Sequence, residues 1–236
     1  MLNTIGPFLL NVKNRKLNFF LRITSEKRKN TVFYASHGFI VVFFSPRMLS
    51  SFFKDKKTRE VDVEKLSTYL NGCFPLKHYL DNGIDFFGEL PLTASKVYIK
   101  GKAYDVKNKV SELDSNSIYA SSYESLVEQF DKMALSYFKK RIKELATEMG
   151  IKDEYSVKLS DAIAYRGTNY VRKRIINLNR YLYCYNTDVS DMVIYHELCH
   201  HFNVYHNADF YSLLARYCPN HDYYSKIISA GRFLDK

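Results

Sequence analysis

Apolar and polar positions change their rhythm part-way along this chain. Between residues 8 and 45 the apolar residues come in short runs rich in β-branched and aromatic side chains: Leu17 to Ile23, Thr31 to Tyr34 and the unbroken Phe39 to Phe44. The polar stretch Ser25 to Asn30 separates the first two, and Ser45-Pro46 stops the third. Runs of this length between turn formers predict strands. Val61 to Leu70 predicts a short helix. Asp85 to Leu90 and Lys96 to Val106 predict more strands, the latter folding back around Lys100-Gly101-Lys102, and 111–118 predicts a loop. The period then lengthens. Leu126, Phe130, Met133, Tyr137, Leu145 and Met149 recur at helical spacing. They predict one long helix, opened by a capping box of Ser121 and Glu124 and stopped at Gly150. From Arg174 to Tyr183 the period returns to two: Ile176, Leu178 and Leu182 alternate with Asn177, Asn179, Tyr181 and Tyr183, the pattern of a strand buried on one face. Ser190 to His201 predicts a final helix, with Thr187 or Asp188 as its N-cap. The fold class expected is α+β: a β-rich region over 1–115, then a helical half over 116–236 that keeps a small sheet.

A chain of 236 residues can bury a sizeable core. The formal charge of +10 gathers at Lys13, Arg15 and Lys16, Lys27 to Lys29, Lys54 to Arg59, Lys139 to Arg141 and Arg172 to Arg174. Such a surface attracts polyanions. The clusters are scattered and carry no nucleic-acid motif, so a nucleic-acid partner has weak support. The four cysteines form no Cys-x-x-Cys pair, which argues against a zinc ribbon, and they are too few for a disulfide framework, which points to a reducing compartment. The start Met1 to Pro7 lacks the pattern of a signal peptide, and Phe39 to Phe44 is too short to span a bilayer. A cytoplasmic protein without membrane association is expected.

The chemistry concentrates in His196-Glu197-Leu198-Cys199-His200. Residues four apart on a helix share a face one turn apart, so two imidazoles so placed can bind one cation, at ~2.0–2.1 Å each for zinc. Glu197, one step round, can reach the open side of such a metal and take a proton from water. A structural zinc site would use four protein ligands, often cysteines, whereas a catalytic one uses three. The third candidate is His206, with Asp209 a weaker alternative. His206 stands six residues after His200, far from a whole number of turns, so the chain must bend first, and Asn203 can take the left-handed conformation that ends helices. Four of the seven histidines, the three candidate ligands and His201, fall within eleven residues, which makes a chance pattern hard to sustain. His201, about 100° round the helix from His200, reads as a packing or surface residue. Cys199 reads as packing, and His37, His78 and His221 have no motif partner.

Tyr195 to His200, followed by His206, Phe210, Leu213, Leu214 and Pro219, resembles the YgjP-like metallopeptidase family, relatives of the SprT-like zincins. Ile176-Asn177-Leu178-Asn179 resembles the family's strand before the metal helix, and Lys100 to Tyr104 is similar to a turn in its N-terminal sheet. The resemblance implies a zincin-like helical half, with His196, His200 and His206 as ligands of Zn2+ and Glu197 as catalytic base. The family's Arg-Trp-Gly-Ser-Cys stretch is replaced here by Arg166-Gly167-Thr168-Asn169-Tyr170. The ligand spacing equals that of metzincins, but Asn203 stands where they carry Gly, and no Met follows Met192.

The reading that follows is a zinc-dependent metallohydrolase, a metallopeptidase acting on a peptide or protein. In zincins an edge strand binds extended substrate by β-addition, and 175–183 is the candidate segment. Two alternatives stand beside it. One is a metal-dependent nucleotide phosphoanhydride hydrolase (a pyrophosphatase), with Arg166 and Arg172 to Arg174 holding the phosphates of an anionic nucleotide in place of a Walker loop. The other is a non-enzymatic DNA-associated protein.

Overall fold

The computed structural model describes residues 4–23, 31–84, 90–108, 114–161 and 165–234. The chain divides into two compact units, Met1–Glu89 with Ser229–Gly231, and Leu90–Ile228 with Arg232–Lys236. Both strands and helices are present, with strands dominating the N-terminal side and helices the C-terminal half. Among the described residues no helix is long and apolar enough to cross a membrane. The predicted turn at Ser25 to Asn30 and most of the predicted strand at Asp85 to Leu90 lie outside the described residues.

The first unit is built on a four-stranded sheet of β1 (Thr4–Val12), β2 (Arg15–Ile23), β3 (Val32–Ser36) and β4 (Phe39–Phe44), in the order β1-β2-β4-β3. β4 is central, parallel to β2 and antiparallel to β3, and a strand covered in this way reads as an unbroken apolar run. Two-residue turns with both φ positive close its hairpins: Lys13-Asn14 between β1 and β2, His37-Gly38 between β3 and β4. This is the turn geometry that matches strand twist. Ser45-Pro46 stops β4 by starting α1 (Pro46–Ser50), where Ser45 accepts from the Met48 N–H and Pro46 takes the first turn. The small hairpin of β5 (Phe53–Asp55) and β6 (Glu60–Val61) leads to α2 (Val63–Cys73) and α3 (Leu76–Asp81). α2 lays Leu66 and Leu70 on the apolar cluster of Leu17, Phe19, Leu21, Ile40 and Val42.

In the second unit β7 (Lys96–Ile99), β8 (Lys102–Lys107) and β9 (Ser117–Tyr119) form one sheet, with Lys100-Gly101 as another positive-φ turn. These strands share their apolar cluster with the helices, so the compact unit begins at Leu90, whereas the composition shift lies near residue 115. α4 (Tyr123–Glu148) buries Leu126, Phe130, Ala134, Phe138, Ile142 and Leu145 along one stripe. Its cap is one residue later than the capping box places it: Ser122, not Ser121, accepts from the Ser125 N–H. Gly150, at φ 73°, ends it as expected. The second sheet has the order β10 (Ser156–Ser160), β12 (Ile175–Asn179), β11 (Gly167–Tyr170). β12 is half the predicted length, because from Arg180 to Cys184 the chain winds into a 3-10 turn whose Leu182 stays in the core. α5 (Thr187–Cys199), α6 (Ala208–Tyr217) and α7 (His221–Ala230) complete the unit.

Candidate metal centre

α5 starts at Asn186, whose side chain accepts from the Val189 N–H, rather than at Thr187 or Asp188. Every residue from Val189 to Tyr195 and from Glu197 to Cys199 is buried, so the helix is covered nearly all round and His196 is its one partly open position there. The helix stops at His200, still in right-handed geometry. Among the described non-glycine residues positive φ occurs at Lys13, Asn14, His37, Arg59, Lys100 and Arg174, so Asn203 does not supply the left-handed bend expected of it. It works through hydrogen bonds instead. Its Oδ1 accepts from the Tyr205 N–H at 3.1 Å, its Nδ2 donates to Asn207 Oδ1 at 2.7 Å, and its carbonyl lies 3.1 Å from His200 Nδ1. Asn207 in turn caps α6 through the Phe210 N–H at 3.0 Å. Asn side chains thus carry the chain round from His200 to His206.

The turn brings His206 onto the two helix imidazoles. His196, His200 and His206 each offer a ligand atom within 4.8 Å of the others, and His196 Nε2 lies 2.9 Å from His206 Nε2. Tetrahedral bonds of ~2.0–2.1 Å to zinc put ligand nitrogens about 3.3 Å apart, so this donor set fits a metal ion. The Asn203 carbonyl holds His200 Nδ1 as the protonated nitrogen, which leaves Nε2 to face the cluster. Phe210, fully buried, packs under all three rings at centroid distances of 4.9, 4.8 and 4.7 Å. Asp209 is exposed in the first turn of α6 and is not part of the cluster.

Burial, then the neighbouring imidazoles of His200 and His206, pull His196 down to about 3, and burial also lowers His200. Both rings are therefore neutral near pH 7, the form that binds metal. Glu197, 4% exposed, is pushed up to about 8 by burial, against a smaller pull downward from the Asn169 backbone N–H. Cys199 is lifted to about 12 by burial, so it is a neutral thiol packed in the helix, as its spacing indicated. His201 turns to Tyr155, its Nδ1 3.0 Å from the hydroxyl.

One feature near the cluster escapes the sequence reading. His221 had no motif partner, yet its ring lies 6.2 Å from that of Tyr211, itself 6.2 Å from His206, and its charge bears on His196. Arg166 also bears on His196, while its guanidinium donates to Ser225 Oγ at 2.6 Å and to the Ser225 carbonyl at 3.1 Å. The strand beside the site also differs. β12 is paired on both sides, parallel to β10 and antiparallel to β11, so the segment 175–183 offers no sheet edge. The edge strand next to α5 is β11. Its Gly-Thr-Asn-Tyr sequence has too little apolar alternation to announce a strand.

The family model of the YgjP-like metallopeptidase domain matches residues 90–229, more than half of the chain. The chain belongs to the YgjP-like family. The match begins where the second compact unit begins and takes in β11, α5 and the three histidines. No curated protein and no solved structure matches the chain. Membership in a YgjP-like metallopeptidase family makes the class of reaction hydrolysis of a peptide or protein with the help of a metal. The His cluster is where the described residues could hold that metal.

Proposed function

We propose that the protein is a zinc metallopeptidase in which His196, His200 and His206 hold the ion and Glu197 is the general base. The observation that carries this reading is the convergence of His196, His200 and His206, with the buried Glu197 next to His196 on α5. Three imidazoles with no cysteine or carboxylate among them favour zinc. When bound, zinc supplies Lewis acidity, polarising the scissile carbonyl and making water easier to deprotonate. The residues do the rest. His196 and His200 are neutral before any metal arrives. Glu197 accepts the proton of the attacking water at its carboxylate and hands it to the leaving amine. An extended peptide would run along the outer edge of β11 and pair with the backbone groups there that Glu197 does not take. The exposed Tyr165 precedes that strand and the exposed Tyr170 ends it. The four free cysteines support placing the protein in the reducing cytoplasm.

Neither the site nor the family match favours the other two readings. Of the four cations assigned to phosphate, Arg166 is engaged with Ser225 and Arg174 pairs with Asp153 at 2.9 Å. The zinc-loaded chain is expected to cleave members of a mixed peptide pool, read by mass spectrometry, and to leave nucleoside triphosphates intact. His206→Ala is expected to lose both the cleavage and most of the zinc found by elemental analysis. Triphosphate hydrolysis with the peptides untouched would overturn the proposal, and undiminished zinc in His206→Ala would remove the third ligand.

A second expectation concerns protons. With its pKa near 8, metal-free Glu197 is mostly protonated at pH 7, whereas the His196 and His200 imidazoles are not. A dication beside the carboxylate favours its ionised form. Zinc binding at pH 7 should therefore release about one proton from this group, and affinity should rise with pH until Glu197 is ionised in the free protein. Calorimetry in buffers of different ionisation enthalpy reads that proton. Its persistence in Glu197→Gln would show that it comes from elsewhere.

A further inference from the structure

β11 is the strand that meets Glu197. The Asn179 N–H donates to the Arg166 carbonyl at 2.8 Å, which makes 166 and 179 a hydrogen-bonded pair of the antiparallel ladder. Pairs of the two kinds alternate, so Gly167 opposite Leu178 and Asn169 opposite Ile176 are of the non-bonded kind. The backbone N–H and C=O of Gly167 and Asn169 therefore point away from β12, to the outer edge of the sheet.

That edge holds Glu197 at three points. A Cβ on Gly167 would lie 2.6 Å from Glu197 Oε1 and 2.9 Å from both Cδ and Cγ, closer than any side chain could settle, so the carboxylate occupies the space that the glycine leaves open. The Asn169 backbone N–H acts on the same carboxylate, drawing its pKa down against the larger effect of burial. The Asn169 side chain donates from Nδ2 to the Glu197 carbonyl at 2.6 Å, tying the strand to the helix turn itself. Neither residue suits a strand for its own sake. Glycine weakens strand interiors and Asn is depleted there. Asn169 Oδ1 is moreover buried with no hydrogen-bond partner among the described residues, a cost that an apolar residue would avoid.

We infer that Gly167 and Asn169 are positioning residues for Glu197: the absent side chain at 167 forms the niche of the carboxylate, and Asn169 fixes the turn that presents it. The inference rests on Glu197 being the base. Its geometric content, the coupling of Gly167 to the Glu197 side chain, can be measured without any activity.

Thermal unfolding of the full chain, with and without zinc, gives that measurement. Gly167→Ala is expected to lower the midpoint by roughly 2–10 °C, the range for an overpacked methyl. Most of that loss is expected to vanish when the same change is made in a Glu197→Ala background, since the niche is then empty. Gly72→Ala, where no atom lies within 4 Å of the added Cβ, serves as the control. An equal loss in both backgrounds overturns the inference. Should Gly167→Ala fail to fold, folding restored by Glu197→Ala supports it and continued failure overturns it. The kinetic arm uses a fluorogenic peptide library. Asn169→Ala is expected to lower kcat about 10²-fold, the scale of an ångström's misplacement, with KM and bound zinc within about twofold. Unchanged kcat overturns the role of Asn169. Full hydrolysis by Glu197→Gln would instead remove the base while leaving the thermal coupling in place, so the two failures are distinguishable.

Discussion

Glu197→Gln is expected to slow peptide hydrolysis by about 10²–10⁴-fold, the usual worth of a positioned general base, while zinc content stays at the parent level. Gln has the same size and shape. It fills the space beside Gly167 and can still accept from the Asn169 backbone N–H through its amide oxygen. What it lacks is the basic oxygen, so a fall in kcat with bound zinc unchanged isolates proton transfer from metal binding. Stability should move the other way. The folded pKa of Glu197 is raised from 4.5 to about 8, so folding is undisturbed by this group below pH 4.5 and loses stability as pH rises from there to about 8. The metal-free Gln variant has no such group to ionise. It should match the parent in acid and exceed it at pH 8, in urea unfolding followed without metal. Full activity in the Gln variant would remove Glu197 from the mechanism.

Much of the candidate site is legible in the sequence, because its first half is local. His196 and His200 share a helix face by spacing alone, and the apolar flanks from Met192 to Ile194 correctly announced a buried helix. The long period from Leu126 to Leu145 announced α4, and the continuous run Phe39 to Phe44 announced a covered strand. The rest depends on side chains meeting across sequence distance. His206 reaches the other imidazoles through hydrogen bonds of Asn203, whose conformation the helix-ending rule mistook. Phe210 under the rings and His221 beyond Tyr211 come from two further helices. β11 escaped because none of Gly167 to Tyr170 is buried, so no apolar face announces the strand, and Gly167 and Asn169 lie against Glu197 instead. The caps at Ser122 and Asn186 each lie a residue from the expected position, since neighbouring Ser, Thr, Asn and Asp are nearly equivalent as caps.

The position of α5 itself rests on a polar seam with α4. Asp191 takes a forked pair from Arg141, Nε to Oδ1 at 2.9 Å and Nη2 to Oδ2 at 2.6 Å, and the remaining Arg141 nitrogen donates to Glu144 at 2.8 Å. One turn on, the Tyr195 hydroxyl donates to Glu148 at 2.9 Å, immediately before His196. Asp191 is 6% exposed. Burial pushes its carboxyl up and the guanidinium pulls it back, while Arg141 is held firmly charged. Removing one member of such a pair strands the other charge, which costs about 3–5 kcal/mol. Here Arg141 keeps Glu144 and some access to water, so Asp191→Ala is expected to cost about 3 kcal/mol, near the low end of that range. In a chain of 236 residues that lowers the thermal midpoint by about 6–12 °C. Replacing both charges, as Arg141→Met with Asp191→Leu, should recover most of the loss, because an apolar pair needs no desolvation of ions. A single-variant cost below about 1 kcal/mol would show that the seam is a surface pair in its energetics. A double variant as unstable as Asp191→Ala would show that the fork itself, and not the stranded charge, holds α5 against α4.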